Sequence, residues 1–383
     1  MVPQAGVLAD AITQGGEEAA AHEDGGEAEE KRSQETDHGG ILAYNLPPAT
    51  PPATIADVTS STPMVLVTGA LGQIGSELVS ALSTRYGVDR VIASDVRMHP
   101  RGSGRNGAFE YVDVTNGRQL QEVVRRHGVD TIYHLAALLS AVAEEKPQVA
   151  WNVNMGGLYR VLEVARENRC AVFHPSSIGA FGPGTPRDAT PQDTIQRPNT
   201  MYGVTKVAAE LLCDYYHHRF QVETRGLRFP GLISHVAPPG GGTTDYAVEM
   251  FFGATRHSRY TCFLRPDSNM DMMFMPDAIR ATIELMEADA SKLIHRNAFN
   301  LTAMNFNPHD LAAAISVLRP GFEIHYEVDP VRQAIADSWP LSVDDRAARD
   351  EWGWRPEYDL ARTSKEMLDA LAKKFKPEDA TCP

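Results

Sequence analysis

The stretch VLVTGALGQIG, residues 65–75, decides the fold of this chain. It opens with an apolar run of the kind that forms a short buried strand, and Gly69, Gly72 and Gly75 follow directly. Glycines at a strand-to-helix corner let backbone N–H groups approach a pyrophosphate, and the helix N-terminus supplies favourable partial charge. The stretch therefore predicts a dinucleotide-binding turn that includes Gln73 and Ile74. Its GxxGxxG spacing is one residue longer in the first gap than the general GxGxxG fingerprint.

On either side of this turn, segments with the pattern of strands alternate with segments with the pattern of helices. The predicted strands are 65–67, 91–94, 109–112, 131–135, 171–174 and 223–229. The predicted helices are 73–86, 120–127, 149–168 and 202–220. This alternation implies βαβ crossovers, so we expect an α/β fold with a Rossmann-type doubly wound parallel sheet. After Gly231, Gly- and Pro-rich loops with helices at 276–287 and 308–318 indicate a smaller C-terminal substrate-binding region.

The N-terminal segment differs in composition from the rest of the chain. Residues 1–62 carry eleven acidic and two basic side chains and include the proline-rich stretch PPATPPA at 47–53. Such a segment buries too little apolar surface to offset its ordering entropy, so we expect a disordered leader. We predict an NAD-binding domain at 63–235 and a mainly substrate-binding region at 236–375, some of whose segments return to the sheet. A disordered tail is expected at 376–383.

The overall composition is that of an ordinary globular protein. Of 383 residues, 43% are hydrophobic and 22% are charged, and the formal net charge is −14. An acidic chain without a basic stripe is not expected to bind nucleic acid or an anionic membrane, and no apolar run is long enough to cross a bilayer. Four widely spaced cysteines favour a reducing compartment, and no metal site is predicted.

An acidic residue follows the second predicted strand. Asp95 lies twenty residues after Gly75, where a carboxylate accepts hydrogen bonds from the adenosine ribose hydroxyls and repels a 2′-phosphate. NAD is therefore favoured over NADP as the cofactor. Arg97 keeps the alternative open, because an arginine at this point could accommodate the extra phosphate.

A phenol and an amine share one helix face further along the chain. Tyr202 and Lys206 lie four residues apart at the start of a predicted helix. A phenol is a poor base at neutral pH, and we expect the neighbouring cation to lower its pKa toward the range of proton removal. Ser176 and Ser177 follow the fifth strand, at the sheet edge where α/β proteins bind ligands, and a serine there can hold a substrate oxygen against Tyr202.

Taken together, these residues resemble the extended short-chain dehydrogenase/reductase family over 64–373. In that family the active serine lies five residues before the glycine of an aromatic–glycine pair, here Phe181-Gly182, which selects Ser177 over Ser176. The resemblance implies catalytic roles for Ser177, Tyr202 and Lys206. It implies cofactor contacts from Gly69, Gly72, Gln73, Ile74, Gly75, Asp95, Asp113, Val114, Leu135, Ala136, Ala137, Asn154, Tyr202, Lys206, Pro230 and Leu232. Asn154 is expected to brace the site through water.

Three local stretches resemble the short-chain type of L-threonine 3-dehydrogenase within that family. They are HLAALLS (134–140), GGGTTDYAVEMF (240–251) and DSWPLSVDD (337–345) with the later WGW (352–354). The resemblance implies NAD-dependent oxidation of L-threonine at C3 to 2-amino-3-oxobutyrate, which leads to glycine and acetyl-CoA or to aminoacetone. It implies substrate contacts from Ser140, Ser177, Tyr202, Thr243, Thr244 and Trp339. The alternatives are a plain polar loop for Thr243 and Thr244 and ordinary packing for Trp339. The flexible glycine run at 240–242 suits a closing loop that excludes water.

The same resemblance implies partners and a location. Family members commonly pair the helices predicted at 149–168 and 202–220 across a two-fold axis, so we expect a homodimer. A coenzyme A ligase that consumes the β-keto acid product is an expected metabolic neighbour. Eukaryotic relatives suggest a mitochondrial location, but the acidic leader does not read as a transit peptide, and a cytoplasmic location is the alternative.

Two other functions stay open at this point. A sugar-nucleotide epimerase or dehydratase would share the fold, although the stretch LRFPGLIS (227–234) lacks the Tyr-Gly-Pro-type turn usual there. A non-catalytic dinucleotide sensor is the second alternative. Such proteins often lose the Tyr–Lys pair, which this chain retains.

Overall fold

The computed structural model describes residues 62–97, 107–238 and 240–375. The predicted leader (apart from Thr62) and the predicted tail lie outside the described residues. The strands are β1 (Val65–Thr68), β2 (Val91–Asp95), β3 (Ala108–Tyr111), β4 (Thr131–His134), β5 (Ala171–Phe173), β6 (Ser176–Ser177), β7 (Thr224–Arg225), β8 (Leu227–Phe229), β9 (Gly231–Ile233), β10 (Arg259–Cys262), β11 (Met270–Phe274), β12 (Phe299–Asn300), β13 (Met304–Phe306) and β14 (Glu323–Tyr326).

The helices of the described residues connect and cover these strands. They are α1 (Gln73–Tyr86), α2 (Gly117–His127), α3 (Ser140–Glu145), α4 (Pro147–Trp151), α5 (Gly157–Asn168), α6 (Met201–Phe220), α7 (Tyr246–His257), α8 (Met275–Glu287), α9 (Pro308–Leu318), α10 (Pro330–Asp337), α11 (Arg346–Trp352) and α12 (Leu360–Lys374). A π-helical turn, Asn152–Gly156, joins α4 to α5. Among the described residues, none of the helices combines the length and apolar character needed to span a bilayer.

The central sheet has six strands in the order β3-β2-β1-β4-β5-β7, and every pairing in it is parallel. This order confirms the predicted doubly wound α/β fold. The direction of the strand order reverses between β1 and β4. Ligands bind outside the carboxyl ends of the strands at such a point, so the fold places a site at the end of β1.

The predicted sixth strand, 223–229, is divided at Gly226. Its first part, β7, extends the central sheet beside β5, and its second part, β8, pairs with β6 and β12 instead. A Cβ at Gly226 would lie 2.6 Å from the carbonyl oxygen of His174. The chain therefore passes too close to the end of β5 for any side chain at the division.

The C-terminal part of the chain returns to the first part at several places. Strands β9, β11 and β13 form a small sheet, and β12 pairs with β8. Buried side chains of α8, such as Ile279, share an apolar cluster with Leu78 and Leu82 of α1. Such returns were expected, and the domain division at residue 235 stays a prediction.

His295 ties three segments of this region together. Its Nδ1 is hydrogen-bonded to Glu351 on α11, and its Nε2 lies 3.2 Å from Oδ2 of Asp193. Burial alone would lower the pKa of His295, but the hydrogen bond and charge of Glu351, aided by Asp193, raise it overall. A raised folded-state pKa stabilises the fold below the unfolded pKa of the histidine, and this stabilisation is lost as pH rises through the folded-state value.

We therefore expect His295→Gln to lower the melting temperature more at about pH 6 than at about pH 9. Because the ring is partly exposed, the free energy of unfolding should change by no more than about 1 kcal/mol. Differential scanning calorimetry of both proteins across this range measures the difference. An equal loss of stability at the two pH values would show that protonation of His295 does not stabilise the fold.

Candidate active site

The glycine turn after β1 leaves no room for side chains. Gly69 has φ +68°, and a Cβ there would lie 2.8 Å from the backbone nitrogen of Ala136. A Cβ at Gly75 would lie 2.3 Å from the carbonyl oxygen of Gly69. Gly72 forms the N-cap of α1 without a side chain to bond the first amides, so these donors stay available to an anion. The turn fits the pyrophosphate of a dinucleotide.

Asp95, at the end of β2, braces this turn. Its Oδ2 accepts a hydrogen bond from the amide of Leu71 at 3.0 Å, and Arg97 contacts both of its oxygens. Burial alone would raise the pKa of Asp95, but the hydrogen bonds from Arg97 and Leu71 lower it overall. Asp95 is therefore a carboxylate at neutral pH, as ribose recognition requires.

Ser177, Tyr202 and Lys206 come together beside the glycine turn. Thr200 caps α6 by accepting from the amide of Gly203 at 3.1 Å, which fixes the start of the helix that carries the phenol and the amine. A Cβ at Gly179 would lie 3.2 Å from Cε1 of Tyr202 and 3.4 Å from Oγ of Ser177. Because Gly179 has no side chain, Ser177 and Tyr202 both lie close to it, and the serine hydroxyl acts to lower the pKa of the phenol.

A further contact on this helix was missed by the sequence analysis. Glu144 of α3 accepts a hydrogen bond from the amide of Met201 at 2.6 Å. The Glu144 carboxylate thus satisfies a free amide in the first turn of α6. This contact ties the segment after β4 to the catalytic helix.

The protonation of Tyr202 differs from the expectation. Burial raises the pKa of Tyr202, and the hydrogen bond with Ser177 opposes this only in part. The Lys206 amine lies 5.4 Å from the centre of the phenol ring and donates to the carbonyl oxygen of Pro175 at 2.6 Å. Burial lowers the pKa of Lys206 to about 8. The predicted lowering of the Tyr202 pKa is therefore wrong, because burial of the phenol is the dominant effect and the Lys206 amine is bonded to the backbone of Pro175.

A buried polar network behind the site positions the catalytic helix. Glu210, one turn after Lys206, accepts from the hydroxyl of Ser176, from Arg228 (Nη2 at 2.8 Å) and from Gln196 at 2.8 Å. The Glu210 and Arg228 side chains are only 6% and 8% exposed. Because Ser176 precedes Ser177, its hydrogen bond to Glu210 holds the serine strand β6 against the helix of Tyr202.

Glu210→Gln should lower the free energy of unfolding by about 3–5 kcal/mol, because it leaves the guanidinium of Arg228 buried without a charge partner. Chemical denaturation measures the loss. Adding Arg228→Met removes the stranded charge, so the double variant should be more stable than Glu210→Gln alone. If the double variant were less stable than Glu210→Gln alone, the contribution of Glu210 to stability would not come from its charge pairing with Arg228.

His134 and His174 stack beneath the site, with ring centres 5.5 Å apart. Nδ1 of His134 lies 2.9 Å from the hydroxyl of Thr68, but within the described part of the chain Nε2 of His134 and Nδ1 of His174 lack a hydrogen-bond partner. Hydrogen bonds within the described residues therefore satisfy these two rings only in part. Burial lowers the pKa of His134 to about 3, so the ring is neutral.

A cavity of about 240 Å³ joins the glycine turn to the catalytic side chains. The predicted site residues that line it are Gly69, Gly72, Gln73, Ile74, Gly75, Leu135, Ala137, Ser140, Ser177, Tyr202, Lys206, Pro230, Leu232, Thr243, Thr244 and Trp339. The Nε2 atom of Gln73 is buried without a hydrogen-bond partner in the described residues, which suits a polar ligand there. Residues predicted to contact the cofactor and residues predicted to contact the substrate thus line the same cavity.

Five predicted cofactor residues, Asp95, Asp113, Val114, Ala136 and Asn154, do not line this cavity. Asp113 binds its own loop, with Oδ1 accepting from the amide of Thr115 at 2.9 Å. Oδ1 of Asn154 accepts a hydrogen bond from the backbone amide of Leu138 at 2.8 Å, and Nδ2 of Asn154 donates to the hydroxyl of Thr205 at 3.2 Å. Asn154 therefore joins the segment after β4 to α6 by direct contacts, and its expected bridge through water stays a prediction.

The cavity also has lining residues outside the predicted catalytic, cofactor and substrate residues: Leu139, Pro175, Ser176, Ile178, Phe229, Gly231, Gly240, Gly242 and Asp245. Of these, Gly240 and Gly242 belong to the predicted closing loop. Asp245 follows the threonine pair and accepts from the amides of Gly241 and Gly242 at 2.7 and 2.8 Å. The carboxylate thus holds the glycine run against the cavity mouth. An acid three residues after a glycine run is the local signal that could have identified it.

Trp339 lines the cavity and is also packed into the protein. It is 7% exposed and clusters with Ile178, Phe181 and Val343. The surroundings of Trp339 therefore fit both alternatives for this residue, closure of the pocket and ordinary packing. In the described parts of the chain, no group of three or more His, Cys, Asp or Glu could hold a metal ion.

A glycine turn after the first strand, an acid after the second and a Ser–Tyr–Lys group at the same sheet edge define a nicotinamide-dependent enzyme of the extended short-chain dehydrogenase/reductase class. Sequence comparison agrees, because residues 65–301 match the model of the NAD dependent epimerase/dehydratase family. The chain belongs to this family, and its cofactor is NAD.

Individual relatives are similar over most of the chain. A Staphylococcus saprophyticus protein described as an uncharacterized epimerase/dehydratase is 57% identical over 315 residues, 82% of this chain and 98% of the relative. The structure of an L-threonine dehydrogenase from Clostridium difficile is 55% identical, with a TM-score of 0.80 over 82% of this chain and 99% of that one. A GalE-like L-threonine dehydrogenase from Cupriavidus necator in its holo form is 52% identical, with a TM-score of 0.79 over 81% and 100%.

Proposed function

We propose that this chain oxidises the C3 hydroxyl of L-threonine with NAD, giving 2-amino-3-oxobutyrate, NADH and a proton. The observation that carries the proposal is that Ser177, Tyr202 and Lys206 line the same cavity as the glycine turn. The likeness to solved L-threonine dehydrogenases at 52–55% identity supports the choice of substrate.

The protein positions the substrate and takes up the proton of its C3 hydroxyl. NAD, when bound, accepts the hydride that leaves C3. Ser177 donates a hydrogen bond to the C3 oxygen and holds it against Tyr202, whose phenolate takes the hydroxyl proton. Lys206 holds positive charge beside this pair and would hold the nicotinamide ribose of a bound cofactor. Because Tyr202 must lose its proton and its pKa is raised, the rate of oxidation should rise with pH from neutrality.

The cavity lining suits a small polar substrate. Ser140, Thr243 and Thr244 offer hydroxyl groups for the carboxylate or the amine of the amino acid, and Trp339 and Ile178 offer an apolar wall for its methyl group. Among the described residues that line the cavity, Lys206 is the sole lysine or arginine. A nucleoside diphosphate sugar carries two phosphate charges that need cationic partners, so this lining favours an amino acid over a sugar nucleotide.

A substrate screen tests the proposal. NADH formation is followed by absorbance with L-threonine, L-serine and 2-amino-3-hydroxypentanoate. In parallel, NAD is supplied with UDP-sugars and the sugar products are separated by chromatography, because an epimerase or dehydratase returns the hydride to the sugar and forms no net NADH. The proposal expects turnover with L-threonine and a lower kcat/KM with the other hydroxy amino acids. Turnover confined to sugar nucleotides would establish the epimerase or dehydratase alternative. Tight NADH binding with no turnover of any substrate would establish the sensor alternative.

The proposed product is a β-keto acid, which decarboxylates readily to aminoacetone. A coenzyme A-dependent ligase that cleaves it to glycine and acetyl-CoA is therefore the proposed next step in threonine catabolism. The mitochondrial location remains a prediction, and the bacterial relative gives it no support.

A homodimer is also part of this proposal. Large apolar side chains stay exposed along α6, with Val204 40%, Leu211 63% and Tyr215 53% exposed, and Trp151 and Tyr159 add to them from α4 and α5. Such a continuous apolar face favours pairing with a second copy. Leu211→Glu should convert a dimer to a monomer in sedimentation experiments, whereas Leu318→Glu, at an exposed apolar residue of α9, should not. A wild-type monomer would contradict this assignment.

A further inference from the structure

We infer that Asp271 and Asn305 are positioning residues that set the size of the substrate pocket through Trp339. They hold the backbone that follows Trp339, and the ring held in this way limits the group that a substrate can carry on C3. The substrate class is therefore that of small 3-hydroxy amino acids, with a methyl group favoured over an ethyl group on C3. This inference rests on the proposed function and deepens it, since it concerns the same pocket.

The chain after Trp339 is bonded to side chains of two neighbouring strands. The amide of Val343 donates to Oδ2 of Asp271 on β11 at 2.6 Å. Nδ2 of Asn305 on β13 donates to Oδ1 of Asp271 at 3.0 Å and to the carbonyl oxygen of Leu341 at 2.5 Å. Asp271 and Asn305 are direct partners in the antiparallel pairing of β11 with β13. These two side chains thus fix the backbone after Trp339 to the small sheet.

Burial makes these hydrogen bonds necessary for Asp271. The residue is only 2% exposed. Burial raises the pKa of its carboxyl group, and the hydrogen bonds from Asn305 and from the amide of Val343 act in the opposite direction. A buried carboxylate without donors is strongly destabilised. The need of Asp271 for these donors therefore keeps the chain at Val343 in place.

The other edge of the same segment is fixed as well. The amide of Leu341 donates to the carbonyl oxygen of Arg187 at 2.8 Å, and the amide of Asp344 donates to that of Thr190 at 2.9 Å. Because the backbone is held on both edges, the Trp339 ring has little freedom to move away from the cavity.

The small volume of the cavity gives the held ring its effect on the substrate. Trp339 lines a cavity of about 240 Å³, whereas pockets for small ligands usually measure about 300–1,000 Å³. Strand β11 supports a second wall too, because a Cβ at Gly231 would lie 2.2 Å from Sδ of Met272 and 2.8 Å from Cγ2 of Thr244. One strand therefore supports two walls of the pocket, which leaves little room for a larger group on C3.

The selectivity between L-threonine and 2-amino-3-hydroxypentanoate tests this inference, because the second substrate carries one more methylene on C3. Asn305 is exposed, so Asn305→Ala frees the carbonyl of Leu341 without replacing the buried carboxylate. The ratio of kcat/KM for the larger substrate to kcat/KM for L-threonine should rise about tenfold, since a hydrophobic pocket discriminates one methylene by about 10–200-fold. Trp339→Phe should raise the same ratio, and the two effects should not multiply in the double variant, because both act through one ring.

Asn297→Ala is the matched control. Nδ2 of Asn297 also donates to a carboxylate, that of Asp214 at 2.8 Å, and Asn297 does not line the cavity. This variant should leave the ratio unchanged. If Asn305→Ala lowered kcat/KM for both substrates by the same factor, Asn305 would have only a structural role and the inference would be overturned. Effects of Asn305→Ala and Trp339→Phe that multiply in the double variant would overturn it as well.

Hydrogen exchange tests the same contacts without any substrate. Peptides that cover residues 340–345 should exchange about fivefold faster in Asn305→Ala than in the wild type, the size expected for the loss of one hydrogen bond. Unchanged exchange would also overturn the inference. A wild-type protein that oxidises neither amino acid would refute the proposed function and the inference with it, whereas a failure of the inference alone appears only in the variants.

Discussion

Tyr202→Phe should lower kcat for L-threonine oxidation by about 10²–10⁴-fold, the usual contribution of a positioned proton acceptor. The substitution removes one oxygen and keeps the ring, which lies against Gly179 and the Lys206 amine. Binding of NADH should therefore stay within about twofold of the wild type. Stopped-flow or steady-state absorbance measures the rate, and fluorescence titration measures the affinity.

Tyr215→Phe is the control, because Tyr215 lies on the same helix and is 53% exposed, away from the cavity. It should keep wild-type turnover. If Tyr202→Phe kept most of its turnover, the proton acceptor would have to be another group. If it lost turnover together with NADH affinity, the phenol would act in cofactor binding and not in proton transfer.

Gly75→Ala should have the second large effect, because its new Cβ would lie 2.3 Å from the carbonyl oxygen of Gly69 and 2.8 Å from Cα of Ala70. Both neighbours are backbone atoms that cannot rotate away. The first turn of α1 must shift, which we expect to cost about 2–3 kcal/mol of stability and more than about tenfold in NADH affinity. Chemical denaturation and NADH titration measure the two losses.

Gly184→Ala provides the matched control. A Cβ at Gly184 meets nothing within 4 Å, and Gly184 does not adopt a positive φ. This variant should keep both the stability and the NADH affinity of the wild type. Equal behaviour of the two alanine variants would show that the glycine turn tolerates side chains and that close backbone approach is not its basis.

The central sheet could be predicted because its signals are local. Each strand is a short apolar run bounded by a turn, and the glycine stretch at 69–75 specifies the strand-to-helix corner. The division of the sixth strand could not be predicted in this way. It depends on the approach of Gly226 to the carbonyl of His174, two segments that are far apart in the chain.

The same distinction holds for the candidate site. Tyr202 and Lys206 share one helix turn, so their pairing follows from their spacing. The ion pair of Glu210 with Arg228 joins α6 to β8, and no local sequence pattern predicts it. The direction of the Tyr202 pKa was mispredicted for the same reason, because burial of the phenol depends on the tertiary structure around it.

The central claim is that the C3 carbon of L-threonine gives its hydride directly to NAD while Tyr202 takes the hydroxyl proton. Oxidation of L-threonine deuterated at C3, with the resulting NADH examined by mass spectrometry and proton NMR, tests it most directly. Direct transfer should place one deuterium at nicotinamide C4 of each NADH and should make a single turnover slower than with the undeuterated substrate. NADH without deuterium, or no NADH from L-threonine at all, would contradict it.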